Sequence, residues 1–112
     1  MISDPSVAPD LAAVERAIVE AKQRGVNLTT LAAVHHETTT GLLNPVQAIG
    51  ALAKKHGLAF VLDAVSSLAG EAIDLEACGV DAAACTANKC FEGLAGICFV
   101  VLRREALARL AP

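Results

Sequence analysis

The chain is expected to be an α/β protein, a three-layer arrangement around a mostly parallel sheet with one antiparallel strand, and three observations predict this. Hydrophobic residues fill 54% of the 112 positions while aromatics fill 3%, so burial comes from Ala, Val, Leu and Ile packed between layers rather than from large rings. Apolar runs of strand length at residues 28–35, 58–62 and 81–85 are separated by stretches of helical character, and the continuous run at 58–62 marks a strand covered on both faces. A last apolar run, residues 96–102, follows the third after about ten residues containing Gly93 and Gly96, too short for a parallel crossover.

Leu11, Val14, Ile18 and Ala21 recur at helical spacing, with Pro9 in a permissive first turn and Gly25 as a stop, which predicts a helix over residues 9–24. A buried strand over 28–35 follows. The second helix is marked by Asn44 as cap, Pro45 at the first helical position and Gln47 placed as in a capping box, and it ends at Gly57. Its apolar face is Val46, Ile49, Leu52 and Ala53. Lys54, Lys55 and His56 fall in its last turn, where positive charge complements the helix dipole and needs no functional explanation.

The strand over 58–62 leads directly to Asp63, and a short helix over 74–78, closed by Gly79, precedes the strand over 81–85. Strand, helix, strand, helix, strand implies right-handed parallel crossovers. The strand over 96–102 then runs antiparallel, and residues 103–110 have the pattern of a terminal helix. Such a sheet leaves an edge and a helix face uncovered, so residues 1–112 are expected to be part of a larger domain.

Composition narrows the partners. Formal charge is -3, with 9 basic and 12 acidic residues interspersed and no basic cluster or aromatic stripe that would track a phosphate backbone, so nucleic acid is not expected. No apolar stretch reaches the roughly 18 residues of a membrane span, and residues 1–5 lack the basic and apolar regions of a signal peptide, which predicts a cytoplasmic protein without a membrane partner. Cys78, Cys85, Cys90 and Cys98 fit no zinc-ligand spacing, so no metal is expected. Cys85 and Cys98 lie inside apolar runs, where a thiol behaves as a small hydrophobe.

In open α/β sheets ligands bind beyond the carboxyl ends of the strands, because helices cover the faces and only the strand ends leave a polar crevice. Glu37-Thr38-Thr39-Thr40-Gly41, Asp63 and Lys89 each sit just past one of the three apolar runs. An acid, an amine and a hydroxyl cluster are thus delivered to corresponding strand ends. Singly, each has an ordinary explanation: a turn or cap Asp, a solvated Lys, a Thr-rich turn. Their common placement singles out Thr38, Asp63 and Lys89. His35 at a strand end reads as a hydrogen-bonded structural histidine, Ser66 and Ser67 as partners for backbone groups in the turn after Asp63, and Cys90 has no evident base to activate it.

The motifs His35-His36-Glu37-Thr38-Thr39-Thr40-Gly41, Asp63-Ala64-Val65-Ser66-Ser67 and Thr86-Ala87-Asn88-Lys89-Cys90 resemble successive motifs of class V, fold type I, pyridoxal-phosphate aminotransferases. The Glu-Thr-Thr-Thr-Gly and Ala-Asn-Lys-Cys forms resemble the branch acting on 2-aminoethylphosphonate and pyruvate. The Asp and Lys are shared with the alanine:glyoxylate branch. By this resemblance residues 1–112 form the middle of the large cofactor-binding domain, without the upstream glycine-rich phosphate loop or the small C-terminal domain that carries a substrate-binding arginine. An isolated chain of this extent is then expected to be inactive.

The resemblance implies pyridoxal 5′-phosphate as cofactor, with a small-molecule amino donor, a 2-oxo acid acceptor and a homodimer for the full-length form. It assigns to Lys89 the amine that bonds the cofactor aldehyde and then moves the substrate proton, two tasks that need a nucleophile and a base. Asp63 pairs with the pyridine nitrogen, Thr38 contacts the phenolic oxygen, Val65 packs beneath the ring, and Asn88 contacts the phosphate. Asn88 departs from the His-Lys pair of the cysteine desulfurase branch, and no reactive downstream cysteine is visible.

Overall fold

The structure, a computed structural model, describes residues 6–110. Helix α1 spans Leu11–Gln23, β1 Thr30–Val34, β2 His36–Glu37, β3 Leu42–Leu43, α2 Val46–Lys55, β4 Ala59–Asp63, β5 Ala82–Thr86, β6 Cys98–Leu102 and α3 Arg104–Leu110. Four strands form the main sheet in the order β1-β4-β5-β6. β1, β4 and β5 are parallel, pairing Val34 with Asp63 and Asp63 with Ala84. β6 runs antiparallel to β5, pairing Thr86 with Cys98. The expected mostly parallel sheet with one antiparallel strand is the sheet observed.

Alternation along the strands decides where the core lies. Phe60, Leu62 and Ala83 are fully buried, and with Cys85 they face Ile18 of α1 and Val46, Ile49, Leu52 and Ala53 of α2 in one cluster. The opposite face is more open: Ala59, Val61 and Ala84 are half-buried, and Val34, Val100 and Leu102 are exposed. Among the described residues β4 is therefore covered fully on one face rather than two. Cys98, expected to be buried as a small hydrophobe, is exposed on this open face of β6, whereas Cys85 is buried as expected.

Helix termini correct the sequence expectation in detail. α1 begins after Asp10, whose carboxylate accepts from the Ala12 amide at 2.9 Å, so the cap is Asp10 and Pro9 lies outside. Asn44 does not cap α2. Its Nδ2 donates to the Val34 carbonyl at 3.0 Å and its amide to the His35 carbonyl at 2.8 Å, tying the helix start to the end of β1, while no side chain caps the helix. Residues 74–79 form a turn rather than a helix: Asp74 Oδ1 accepts from the Ala77 amide at 2.9 Å, and Gly79 at φ +69° closes it.

The basic end of α2 has a packing role. Glu15 of α1 accepts from Lys55 Nζ at 2.7 Å and lies 2.8 Å from His56 Nε2, and Lys22 Nζ donates to the His56 carbonyl at 2.6 Å. These bonds join the two helices of one layer. The hydrogen bond from Lys55, then that from His56, holds the Glu15 carboxyl below its ordinary range. Among the described residues no helix is long and apolar enough to cross a membrane.

Candidate active site

Because β1, β4 and β5 are parallel neighbours, their carboxyl ends open on one edge, and the loops leaving them meet there. The amide of His35, just past β1, donates to the carbonyl of Asp63, the last residue of β4, at 2.9 Å. The next amide, that of Ala64 just past β4, donates to the Ala84 carbonyl of β5 at 2.9 Å. Asp63 itself is exposed. Its Oδ1 accepts from the Val65 amide at 3.0 Å, which turns the chain at the strand end.

Lys89 leaves β5 through a short loop braced at both ends. Gly93 donates to the Ala87 carbonyl at 2.7 Å, Glu92 to the Lys89 carbonyl at 2.8 Å, and the Phe91 ring meets Phe99 of β6 edge-on at 5.3 Å. The exposed Lys89 amine donates to Ser66 Oγ at 2.6 Å, three residues beyond Asp63 in the β4 loop. Asp63 and Lys89 thus share one edge of the sheet. Among the described residues no carboxylate pairs with Lys89.

The other sequence candidates take different places. Val65 is half-buried directly after Asp63. Asn88 is exposed beside Lys89 and accepts from Thr86 Oγ1 at 2.6 Å, which uses its carbonyl oxygen and leaves its amide nitrogen as a donor. Thr38 is exposed in the turn of the β2–β3 hairpin, where Glu37 Oε1 accepts from the Thr39 amide at 3.1 Å and the Thr39 hydroxyl at 2.8 Å. Those bonds hold the Glu37 carboxyl low. Thr38 makes no hydrogen bond to the other four.

Around the edge, His35 is buried and its Nδ1 has no partner among the described residues; burial pushes its pKa down, favouring the neutral ring. His36 Nδ1 lies 3.8 Å from Glu71 Oε1, linking the loops after β1 and β4. The serines differ from expectation. Ser66 serves the Lys89 amine rather than backbone, and the buried Ser67 hydroxyl has no partner among the described residues. The role of Ser66 is what sequence reasoning missed, because its bond to Lys89 crosses between two loops and no local spacing reports it. Among the described residues no cluster of three His, Cys, Asp or Glu could hold a metal ion.

A model of the family "Aminotransferase class-V" matches residues 10–112. The chain belongs to the class-V aminotransferases. Among class-V relatives, 2-aminoethylphosphonate–pyruvate transaminase of Aeromonas hydrophila is 43% identical over 103 residues, covering 92% of this chain and 26% of the relative. The solved alanine–glyoxylate aminotransferase from Nostoc sp. superposes with a TM-score of 0.82 at 30% identity, covering 97% of this chain and 28% of that one. Pyridoxamine-pyruvate aminotransferase from Mesorhizobium loti gives a TM-score of 0.71 at 31% identity over 88% of this chain and 26% of that one. The chain spans about a quarter of the length of the curated relatives it matches, as the 26% coverage shows. The fold is that of the fold type I enzymes.

Class-V aminotransferases use pyridoxal phosphate. The residues at the edge fit that group: an accessible amine whose partner is a neutral hydroxyl, an exposed carboxylate of the charge that suits a protonated ring nitrogen, and an amide donor beside the lysine.

Proposed function

We propose that the protein carrying these residues transfers the amino group of 2-aminoethylphosphonate to pyruvate, giving phosphonoacetaldehyde and alanine, with residues 1–112 as part of its large cofactor-binding domain. The observation that carries this reading is the 43% identity to a transaminase of that name across 92% of the chain. An alanine:glyoxylate exchange is the second reading, favoured by the superposition on the Nostoc enzyme. The same proposal makes the enzyme a cytoplasmic homodimer.

Bound pyridoxal phosphate supplies an aldehyde for amine exchange and a ring that accepts the electron pair of a substrate carbanion. The remaining work falls to this chain. Lys89 anchors the cofactor through its amine and, once free, moves the proton on the substrate carbon that bears nitrogen. Asp63 holds the ring nitrogen protonated, because a nearby negative charge favours the cationic form. Thr38, Val65 and Asn88 would help hold the cofactor, Thr38 through its hydroxyl at the phenolic oxygen, Val65 through an apolar contact with the ring and Asn88 through its amide donor at the phosphate.

Donor preference tests the reading. With the cofactor-loaded full-length gene product, 2-aminoethylphosphonate is expected to convert the cofactor absorbance to that of its amine form, and added pyruvate to restore it with release of alanine. Conversion by alanine, reversed by added glyoxylate, with none by 2-aminoethylphosphonate, would replace the first reading with the second.

A further inference from the structure

The geometry points to Ser66 as a positioning residue that docks the free amine of Lys89 at the carboxyl edge of the sheet. This rests on the role proposed for Lys89. A lysine amine on a four-carbon stem samples many positions unless something holds it, and here the described partner of Nζ is Ser66 Oγ at 2.6 Å. The turn carrying that hydroxyl is fixed. Ala64 and Ser67 on either side are buried, the Ala64 amide bonds β5, and the Val65 amide bonds Asp63. Ser66 therefore spans the β4 and β5 loops and sets the amine relative to Asp63.

The acceptor's chemistry suits a lysine that must gain and lose a proton. A carboxylate at this position would favour the ammonium form and hinder its use as a base. A hydroxyl accepts from an ammonium and can donate to a neutral amine, so it holds Lys89 in either state.

The test compares Ser66→Ala, Ser66→Thr and Lys89→Ala in the full-length gene product. Ser66→Ala is expected to lower kcat about tenfold with KM unchanged, the effect of losing one hydrogen bond to the reacting group, and Ser66→Thr to restore most of it. Independently of cofactor and activity, Lys89 in the cofactor-free protein is expected to be acetylated several-fold faster by acetic anhydride in Ser66→Ala, measured by peptide mass spectrometry. Wild-type kcat and wild-type acetylation in Ser66→Ala would overturn the positioning role, as would a loss of kcat that threonine does not repair. Retained transamination in Lys89→Ala would instead overturn the role of Lys89, while the acetylation rates still report whether Ser66 docks the amine.

Discussion

Lys89→Ala is expected to abolish transamination in the full-length gene product, by about 10⁴-fold or more in kcat, because one change removes both the anchoring amine and the proton-transfer base. Stability should barely move. Lys89 is exposed, its described side-chain bond is to Ser66, and surface substitutions of this kind usually lie within about 0.5 kcal/mol. Steady-state kinetics on a variant whose urea midpoint matches the wild type is the appropriate measurement. Activity within about tenfold of wild type would show that proton transfer, worth about 10²-fold or more, resides elsewhere.

Gly50→Ala is expected to destabilise the protein by more than about 2 kcal/mol, although alanine is intrinsically the better helix former by about 1 kcal/mol. Gly50 lies inside α2 and is buried against the turn that precedes β5. A Cβ there would run into the Cys78 carbonyl oxygen and come within 3.2 Å of Phe60 Cδ1. The first obstacle is backbone, which cannot rotate aside as a side chain can. Either α2 lifts from the sheet or the 74–79 turn moves, and that turn leads into the strand carrying the Lys89 loop. A urea midpoint equal to that of the wild type would mean that helix and turn do not meet as closely as the structure places them.

The strand framework was legible because each parallel strand is mostly apolar and of strand length, and the short glycine-containing connection after Cys85 announced the antiparallel turn-back. Errors arose where one side chain had two possible partners. Asn44 has the identity and spacing of a helix cap, yet its amide nitrogen is used by Val34 at the end of a strand ten residues earlier. Asp74 and Gly79 resemble helix boundaries, but so few residues between them make a single turn, for which helix nucleation is unfavourable.

The β2–β3 hairpin was missed because two residues per strand carry no periodicity. At the site, the edge holding Asp63 and Lys89 followed from strand ends alone. The contact between the two loops from Lys89 to Ser66 did not, since the residues are far apart in sequence and any of several loop side chains could have met the amine. Thr38 shows the converse: its motif was visible, while its turn is organised by Glu37 and Thr39.

Reductive trapping locates the cofactor's attachment point. The purified full-length gene product, loaded with pyridoxal phosphate, is treated with borohydride and digested, and the lysine carrying the phosphopyridoxyl group is identified by mass spectrometry. The expected result is modification of Lys89, abolished in Lys89→Ala. A stable phosphopyridoxyl group on Lys54, Lys55 or Lys22, with Lys89 unmodified in an active preparation, would contradict the placement of the cofactor at the ends of β4 and β5.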